Sequence, residues 1–395
     1  MRKATLAFIF ALVTLDVLAL GIVIPVLPKL IERFEGGDTA RAAEIFGAMS
    51  TAWAVMQFVS MPIIGMLSDR FGRRPVILIS CLGLGIDYFI MALAPSIAWL
   101  FVGRVICGIT AANFSTAFAY ISDVAPPEKR AGAFGIIGAA FGVGFVIGPA
   151  LGGILGGIDP RLPFWVAGVL ALVNAAYGYF VLPESLPPEK RMAFAWARAN
   201  PVGSLKLLRT HRELFGLALV LFLMNLGHFV LPSVMVLYAG YRYGWSETQV
   251  GLALAFVGFC ALIVQGGLVR RVVPKIGERR ALAIGLLFGA IGFFIYGLAP
   301  TGALFLAAVP IMSLWGFAMP SAQAIMTRHV GVSEQGQLQG ANASLQSIAG
   351  IFGPGLFSQT FAATLTSLPG AAFMLAGTML LAATGIGWRV TGRET

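Results

Sequence analysis

Four ionisable side chains stand alone inside long apolar runs: Asp16, Asp87, Arg104 and His228. Asp16 lies about ten residues into its run and Asp87 about eleven into its own, so in helices rising ~1.5 Å per residue both are roughly 15 Å deep. An ionisable group in an apolar medium is costly and marks function by default. A carboxylate withdrawn from water and set near an arginine can take up and release a proton near neutral pH. Asp16, Asp87 and Arg104 are therefore candidates for proton coupling. The competing reading is a satisfied buried ion pair, and for His228 a hydrogen-bonded core or pocket residue. Cys81, Cys107 and Cys260 lie inside apolar runs without ligand spacing, which implies neither a disulfide frame nor a metal site. No Ser/His/Asp set or His cluster points to catalysis.

The elements that hold these groups follow from composition. Of 395 residues, 58% are hydrophobic and 11% charged, against about 25% charged in a soluble domain. So few charges cannot cover a water-soluble surface, which excludes a soluble enzyme and a disordered or nucleic-acid-binding chain. A membrane helix needs about 20 mostly apolar residues. Twelve such spans are predicted, at roughly 6–30, 45–67, 76–95, 97–122, 131–157, 162–183, 213–239, 248–269, 281–299, 301–327, 337–362 and 369–389. Strands are excluded by the length of the runs and the lack of period-two alternation. Arg2-Lys3 before an apolar run imitates a signal peptide, but the run carries Asp16 and continues through Pro25 and Pro28 without a cleavage site, so it reads as the first span. With the N-terminus in the cytoplasm, only Lys29, Arg33, Arg41, Arg161 and Arg242 fall outside, Arg104 falls within the membrane, and the rest of the 27 Lys and Arg are cytoplasmic. That asymmetry predicts both termini inside and assigns the net charge of +10 to topology, with no nucleic-acid partner.

The longest polar stretch, 184–212, divides a first six-helix bundle, 1–183, from a second, 213–395. Leu93-Ala94-Pro95 recurs as Leu298-Ala299-Pro300, Gly148-Pro149 as Gly353-Pro354, Gly72 as Gly277 and Gly135 as Gly340, all at one offset of 205 residues. A shared offset argues for duplication. At that offset Asp16 faces Leu221, Asp87 faces Gly292 and Arg104 faces Val309. Proton chemistry is expected in the first half. The second supplies uncharged pocket surface: Asn225, Gln265, Trp315, Met319 and Gln323.

Two parallel six-helix repeats with a polar linker resemble the major facilitator superfamily. The string Gly65-Met66-Leu67-Ser68-Asp69-Arg70-Phe71-Gly72-Arg73-Arg74-Pro75 resembles that superfamily's signature loop, whose acidic residue helps latch one conformational state. Its copy is degraded, with Pro274 in place of Asp69. The fifth span repeats glycine at 144, 148, 152 and 156 and carries Pro149. Simple tight packing would explain it, but the run Gly144–Gly153 also resembles the motif of proton-coupled drug exporters. The resemblance implies a gating set of Gly65, Asp69, Arg70, Gly72, Arg73, Arg74, Asp123, Gly148 and Pro149.

Along nearly the whole chain the sequence is similar to the tetracycline/proton antiporters, in Leu15-Asp16 with Gly21–Pro28, Met56-Gln57, Asp87-Tyr88, Gly103-Arg104, Gly108-Ile109-Thr110, Pro183-Glu184-Ser185, Gly277–Leu282 and Gln335–Gly340. The likeness implies a twelve-helix inner-membrane transporter that exports an amphipathic drug in exchange for protons by alternating access. It needs no cofactor beyond the proton gradient, binds no metal, and works in the lipid bilayer as a monomer. Asp16, Asp87 and Arg104 match its charged membrane positions, and Gln57, Asn113, Asn225, His228, Gln265, Trp315 and Gln323 are the expected substrate contacts. Departures fall at Ala261 and Gly289, where the family places a histidine and an aspartate, and at Ala111–Ser115. They make tetracycline itself a poorer fit than a bulkier or less polar drug. The alternatives are a multidrug or metabolite carrier of the same fold and, from another class, a membrane receptor or scaffold, which would need no buried carboxylates.

Overall fold

The computed structural model describes residues 3–110, 113–125, 130–192, 205, 207, 212–331 and 334–392. Among them every regular element is a helix. Twelve rods follow one another: α1 (Lys3–Val23, resuming as Leu27–Phe34), α2 (Thr39–Phe71), α3 (Arg73–Leu93), α4 (Ile97–Thr110 and Asn113–Val124), α5 (Arg130–Ile158), α6 (Leu162–Val181), α7 (Arg212–His228 and Val230–Tyr243), α8 (Glu247–Ile263, Val264–Leu268 and Val269–Ile276), α9 (Glu278–Leu298), α10 (Gly302–Ser313, Leu314–Phe317 and Ala318–Arg328), α11 (Gln335–Thr364) and α12 (Ala371–Thr391). Each coincides with one expected span. All but α11 are long and apolar enough to cross a membrane. With 30 residues, α11 is about 45 Å long but carries Gln335, Gln337, Gln339, Asn342 and Gln346.

Several rods are not continuous, and proline accounts for most of the breaks. A proline in a helix cannot donate to the carbonyl four residues earlier and its ring collides with that carbonyl. Pro25 interrupts α1 after Val23. Pro232 frees the carbonyl of His228, where the first segment of α7 ends. Pro320 frees that of Gly316, within the tight 3₁₀ turn Leu314–Phe317. In α8 a wide π turn spans Val264–Leu268 and includes Gly266-Gly267.

The helices form two compact units, one of Met1–Gly36, Ala52–Asn200 and Ser246–Ala255, the other of Gly37–Thr51, Pro201–Trp245 and Phe256–Thr395. In the first, α1 lies along α5 and α6, and α3 lies against α6 and α4. Ile9, Leu12, Val13, Ile77, Tyr120, Ile121 and Ile137 form its fully buried core. In the second, α12 lies along α7 and α9, α11 along α7, and α10 against α9. Its core is aromatic: Tyr296 stacks on Phe305 at 4.0 Å, and the Tyr238 hydroxyl donates to the Tyr296 carbonyl at 2.8 Å.

The glycine row of α5 has two working faces. A side chain added at Gly148 would fall 2.8 Å from the Gly21 Cα, and one at Gly152 would run into the Ile22 carbonyl, so α1 and α5 meet backbone to backbone. Gly153 faces the other way, onto Glu247 and Gly251 at the start of α8, where the Thr248 hydroxyl donates to the Gly153 carbonyl at 3.0 Å. Overpacking a tight contact costs about 1–3 kcal/mol or more. Gly152→Val is therefore expected to lower the melting temperature of the purified protein sharply. Gly138→Ala, at a position with nothing within 4 Å, should leave it unchanged. Equal melting of the two variants would refute the close-approach reading.

Candidate functional site

Asp87 is fully buried on α3; among the described residues no N–H or O–H donor reaches its carboxylate, and its one hydrogen-bonding neighbour is the Cys107 thiol, a weak donor. Arg104 is the positive charge acting on it, and the Cys107 thiol stands beside it. Both come from α4. The carboxylate fits because of Gly103: a side chain there would lie 2.7 Å from Asp87 Oδ1. Arg104 points its guanidinium over the Trp53 ring of α2, with Cζ 5.5 Å from the centroid. A side chain at Gly108, one turn beyond Arg104, would fall 2.6 Å from the Trp53 carbonyl, so α4 and α2 touch closely at this level.

Asp16 has a different environment. It is 5% exposed and accepts a hydrogen bond from Asn174 Nδ2 of α6 at 2.8 Å. The Cys81 Sγ of α3 lies 3.7 Å from the same oxygen. Asn174 Nδ2 also reaches the Leu12 carbonyl, at 2.9 Å. The two acids thus differ: Asp16 is held by an amide, and Asp87 by no stronger donor than a thiol.

In the second unit three irregular segments carry polar or aromatic groups. His228 is exposed where the first segment of α7 ends. Its ring lies 5.5 Å from that of Trp315, on the 3₁₀ turn of α10. Gln265 is exposed on the π turn of α8, and a side chain at Gly316 would meet its Cγ at 3.4 Å. Trp315 also lies 5.5 Å from Phe293. Its ring covers Gly289, where an added side chain would fall 2.9 Å from Trp315 Cγ. The place where the resemblance expects an aspartate is filled by an indole. Gln57 and Gln323 are half-buried on α2 and α10. Asn225 is buried and its amide donates to the Leu221 carbonyl of its own helix at 2.8 Å. The Asn113 side chain lies outside the described residues. Asn342 of α11, which sequence reasoning passed over, has both amide atoms buried and without a hydrogen-bond partner among the described residues.

The loop joining α2 to α3 is built around Arg73. Its guanidinium reaches Asp69 at 2.6 Å, Asp123 at 3.0 Å and the Ser68 hydroxyl at 2.6 Å. Ser68 in turn donates to the Gly65 carbonyl at 2.7 Å. Gly72 has φ 104°, a left-handed conformation that glycine adopts freely; a side chain there would also run into Glu184. Glu184 accepts from the Arg73 amide at 2.9 Å and the Arg74 amide at 3.3 Å. It thereby caps α3, whose first amides have no helical partner. Arg74 donates to the Tyr179 carbonyl at 2.5 Å. Arg70 lies over the Phe71 ring at 5.2 Å.

The second unit answers this loop with opposite charges. At the 205-residue offset Arg73 becomes Glu278, Asp123 becomes Arg328 and Glu184 becomes Arg389. Arg328 and Glu278 are paired at 2.5 Å. The position of the ion pair is kept and its polarity reversed. Glu184 was quoted in the sequence only as part of a motif; its capping role depends on the approach of residues 110 positions away. Removing a helix cap costs about 0.5–2 kcal/mol. Glu184→Ala should therefore lower stability by about 1 kcal/mol and speed hydrogen exchange at the Arg73 and Arg74 amides. Unchanged exchange at those amides would rule out the cap.

The profile of the Major Facilitator Superfamily matches residues 7–354. The chain is 37% identical over 376 residues to the tetracycline resistance protein, class C, of Escherichia coli, covering 95% of this chain and 94% of that one. It is 27% identical to multidrug resistance protein 2 of Bacillus subtilis (strain 168), over 86% of this chain and 84% of that one. Among solved structures, the human organic anion transporter MFSD10 (TETRAN) superposes with a TM-score of 0.73 and 25% identity, over 98% of this chain and 99% of that one. With its many spanning helices and these relatives, this is a multi-pass inner-membrane protein. The chain belongs to the major facilitator superfamily.

Proposed function

We propose that the chain exports amphipathic drugs in exchange for protons, by alternating access between two six-helix bundles, 1–183 and 213–395, joined by 184–212. One observation carries the reading: Asp87 is fully buried, has only the Cys107 thiol as a hydrogen-bond partner among the described residues, and faces Arg104, in a chain 37% identical to a tetracycline resistance protein. A buried carboxylate with so weak a donor is expensive to keep charged, so it is suited to carrying a proton through one half of the cycle. Protonation on one side of the membrane and release on the other would then drive the substrate the opposite way. The proton gradient is the energy source, no cofactor is required, and the monomer is the working unit. Asp69, Arg70, Arg73, Arg74 and Asp123, with Gly65, Gly72, Gly148 and Pro149, form the gate on this reading. The charge asymmetry of the loops favours both termini in the cytoplasm.

The wall formed by His228 and Trp315, with the fully buried Phe293 behind the indole, favours a planar, aromatic substrate. A cationic or metal-chelated drug needs acceptors to offset its desolvation, and Trp315 stands where the aligned aspartate would be. A pump for less polar aromatic drugs, with tetracycline as a weaker substrate, is therefore the reading of this site. A metabolite carrier of the same fold is the second possibility; the aromatic wall argues against it for small hydrophilic metabolites.

Two experiments test these readings. Asp87→Asn should abolish pH-gradient-driven uptake of a drug panel, tetracycline included, into everted vesicles while the protein stays folded; wild-type rates would overturn proton coupling through this residue. Trp315→Ala should raise the half-saturating concentration of planar aromatic drugs about tenfold, since a buried aromatic anchor is worth 1.4 kcal/mol or more. An unchanged value for every drug in the panel would remove Trp315 from the substrate wall.

A further inference from the structure

Arg104 is not where attraction alone would place it. Asp87 is the opposite charge acting on it, yet among the described residues the two form no ion pair, and the carboxylate has only the weakly donating Cys107 thiol as a hydrogen-bond partner. The guanidinium instead lies over the Trp53 indole, at 5.5 Å, within the ~6 Å range of a cation–π contact. Among the described residues its Nε makes no hydrogen bond, and Trp53 Nε1 has only the Cys107 sulfur, a weak acceptor, beside it. The residues that build this arrangement have little freedom. Gly103 admits the Asp87 carboxylate, and Gly108 holds α4 against the Trp53 backbone.

We propose that Trp53 is a resting place for Arg104: the guanidinium sits on the indole face while Asp87 carries a proton, and moves to the carboxylate once that proton has left. A neutral carboxylic acid offers no charge to compete with the ring face, and a carboxylate does. The proton enters Asp87 from water on one side of the membrane and leaves to water on the other; no other bond is made or broken. The groups that could disturb this exchange are few. α4 contributes Arg104 and Cys107. Tyr88, fully buried on α3, is influenced by Asp87, Arg104, Cys107 and Asp16 of α1. α2 brings Trp53, Met56 and Gln57 to this level, and α6 carries no charged residue. Trp53 is thus a positioning residue, acting through Arg104, and its role rests on the proton-coupled reading above.

The test follows Trp53 itself. In lipid nanodiscs, the emission of the wild type minus that of Trp53→Phe should change with pH across the neutral range, as the cation leaves and returns to the indole. In an Asp87→Asn background the same difference should be flat. In everted vesicles with tetracycline as the probe, Trp53→Leu frees Arg104 to pair with the carboxylate, so protonation needs more acid. The pH of half-maximal transport should fall by about half to one unit. Trp53→Phe keeps a ring face and should restore most of the wild-type profile. The proposal is overturned if Trp53 emission is indifferent to pH, if it titrates equally in Asp87→Asn, or if the Trp53→Leu profile superposes on the wild type. Wild-type transport by Asp87→Asn would instead sink the proton-coupled reading; an inactive Asp87→Asn with indifferent emission sinks the Trp53 assignment alone.

Discussion

A carboxylate with only a thiol to donate to it, inside an apolar helix bundle, is the constraint around which the first unit is arranged. Desolvating such a group costs several kcal/mol unless charge or protonation relieves it. Asp87 is relieved by Arg104 at a distance, and that distance is maintained by a ring, not by an ion pair. Two glycines make the arrangement fit, one under the carboxylate and one beside the tryptophan backbone. Asp16, one turn along α1 from fully buried core residues such as Leu12 and Val13, meets the same cost by accepting an amide hydrogen bond. Two acids of similar depth are therefore managed differently, one held by an amide and one left with a thiol and a distant cation.

The second unit has no acid at the corresponding depth and uses backbone irregularity instead. Its helices depart from α geometry where α7 breaks, where α8 widens and where α10 tightens. Each departure releases main-chain groups from the helix ladder and turns a side chain that a regular helix would bury or direct elsewhere. His228 and Gln265 are exposed at these points. Trp315 rides on the third and closes over Gly289. Polarity without charge suits a wall that must release what it holds.

The twelve rods were legible because each requires a long apolar run, and runs survive errors at their edges. The breaks in α1, α7 and α10 follow from Pro25, Pro232 and Pro320, but a proline within an apolar run does not by itself say whether the helix bends, breaks or continues, as α5 continues through Pro149. Other features depend on packing that no spacing rule contains. Asn174 meets Asp16 across 158 residues, and Glu184 meets the Arg73 amide across 111. Trp53 looks like any aromatic in an apolar run until α4 lies against it. Asn225 reads as a pocket residue, yet its amide is engaged by its own helix. The loss of an aspartate at Gly289 is visible in sequence; the indole that fills its place is visible only in space.

The reversed ion pair links two positions that must change together. Glu278 sits at the start of α9 and Arg328 at the end of α10, so both agree with the partial charges of their helix ends. Arg73 and Asp123 stand the opposite way in the first unit, and there the Glu184 carboxylate supplies the negative charge that the start of α3 lacks. Reversing the charge of one member of either pair would bring two like charges within a few ångströms. A tandem of two first halves or two second halves would therefore inherit a different electrostatic pattern from the native chain, and single-site scans of these positions will confuse the value of a residue with the cost of its abandoned partner. The repeats descend from one fold, but they are no longer spare parts for each other.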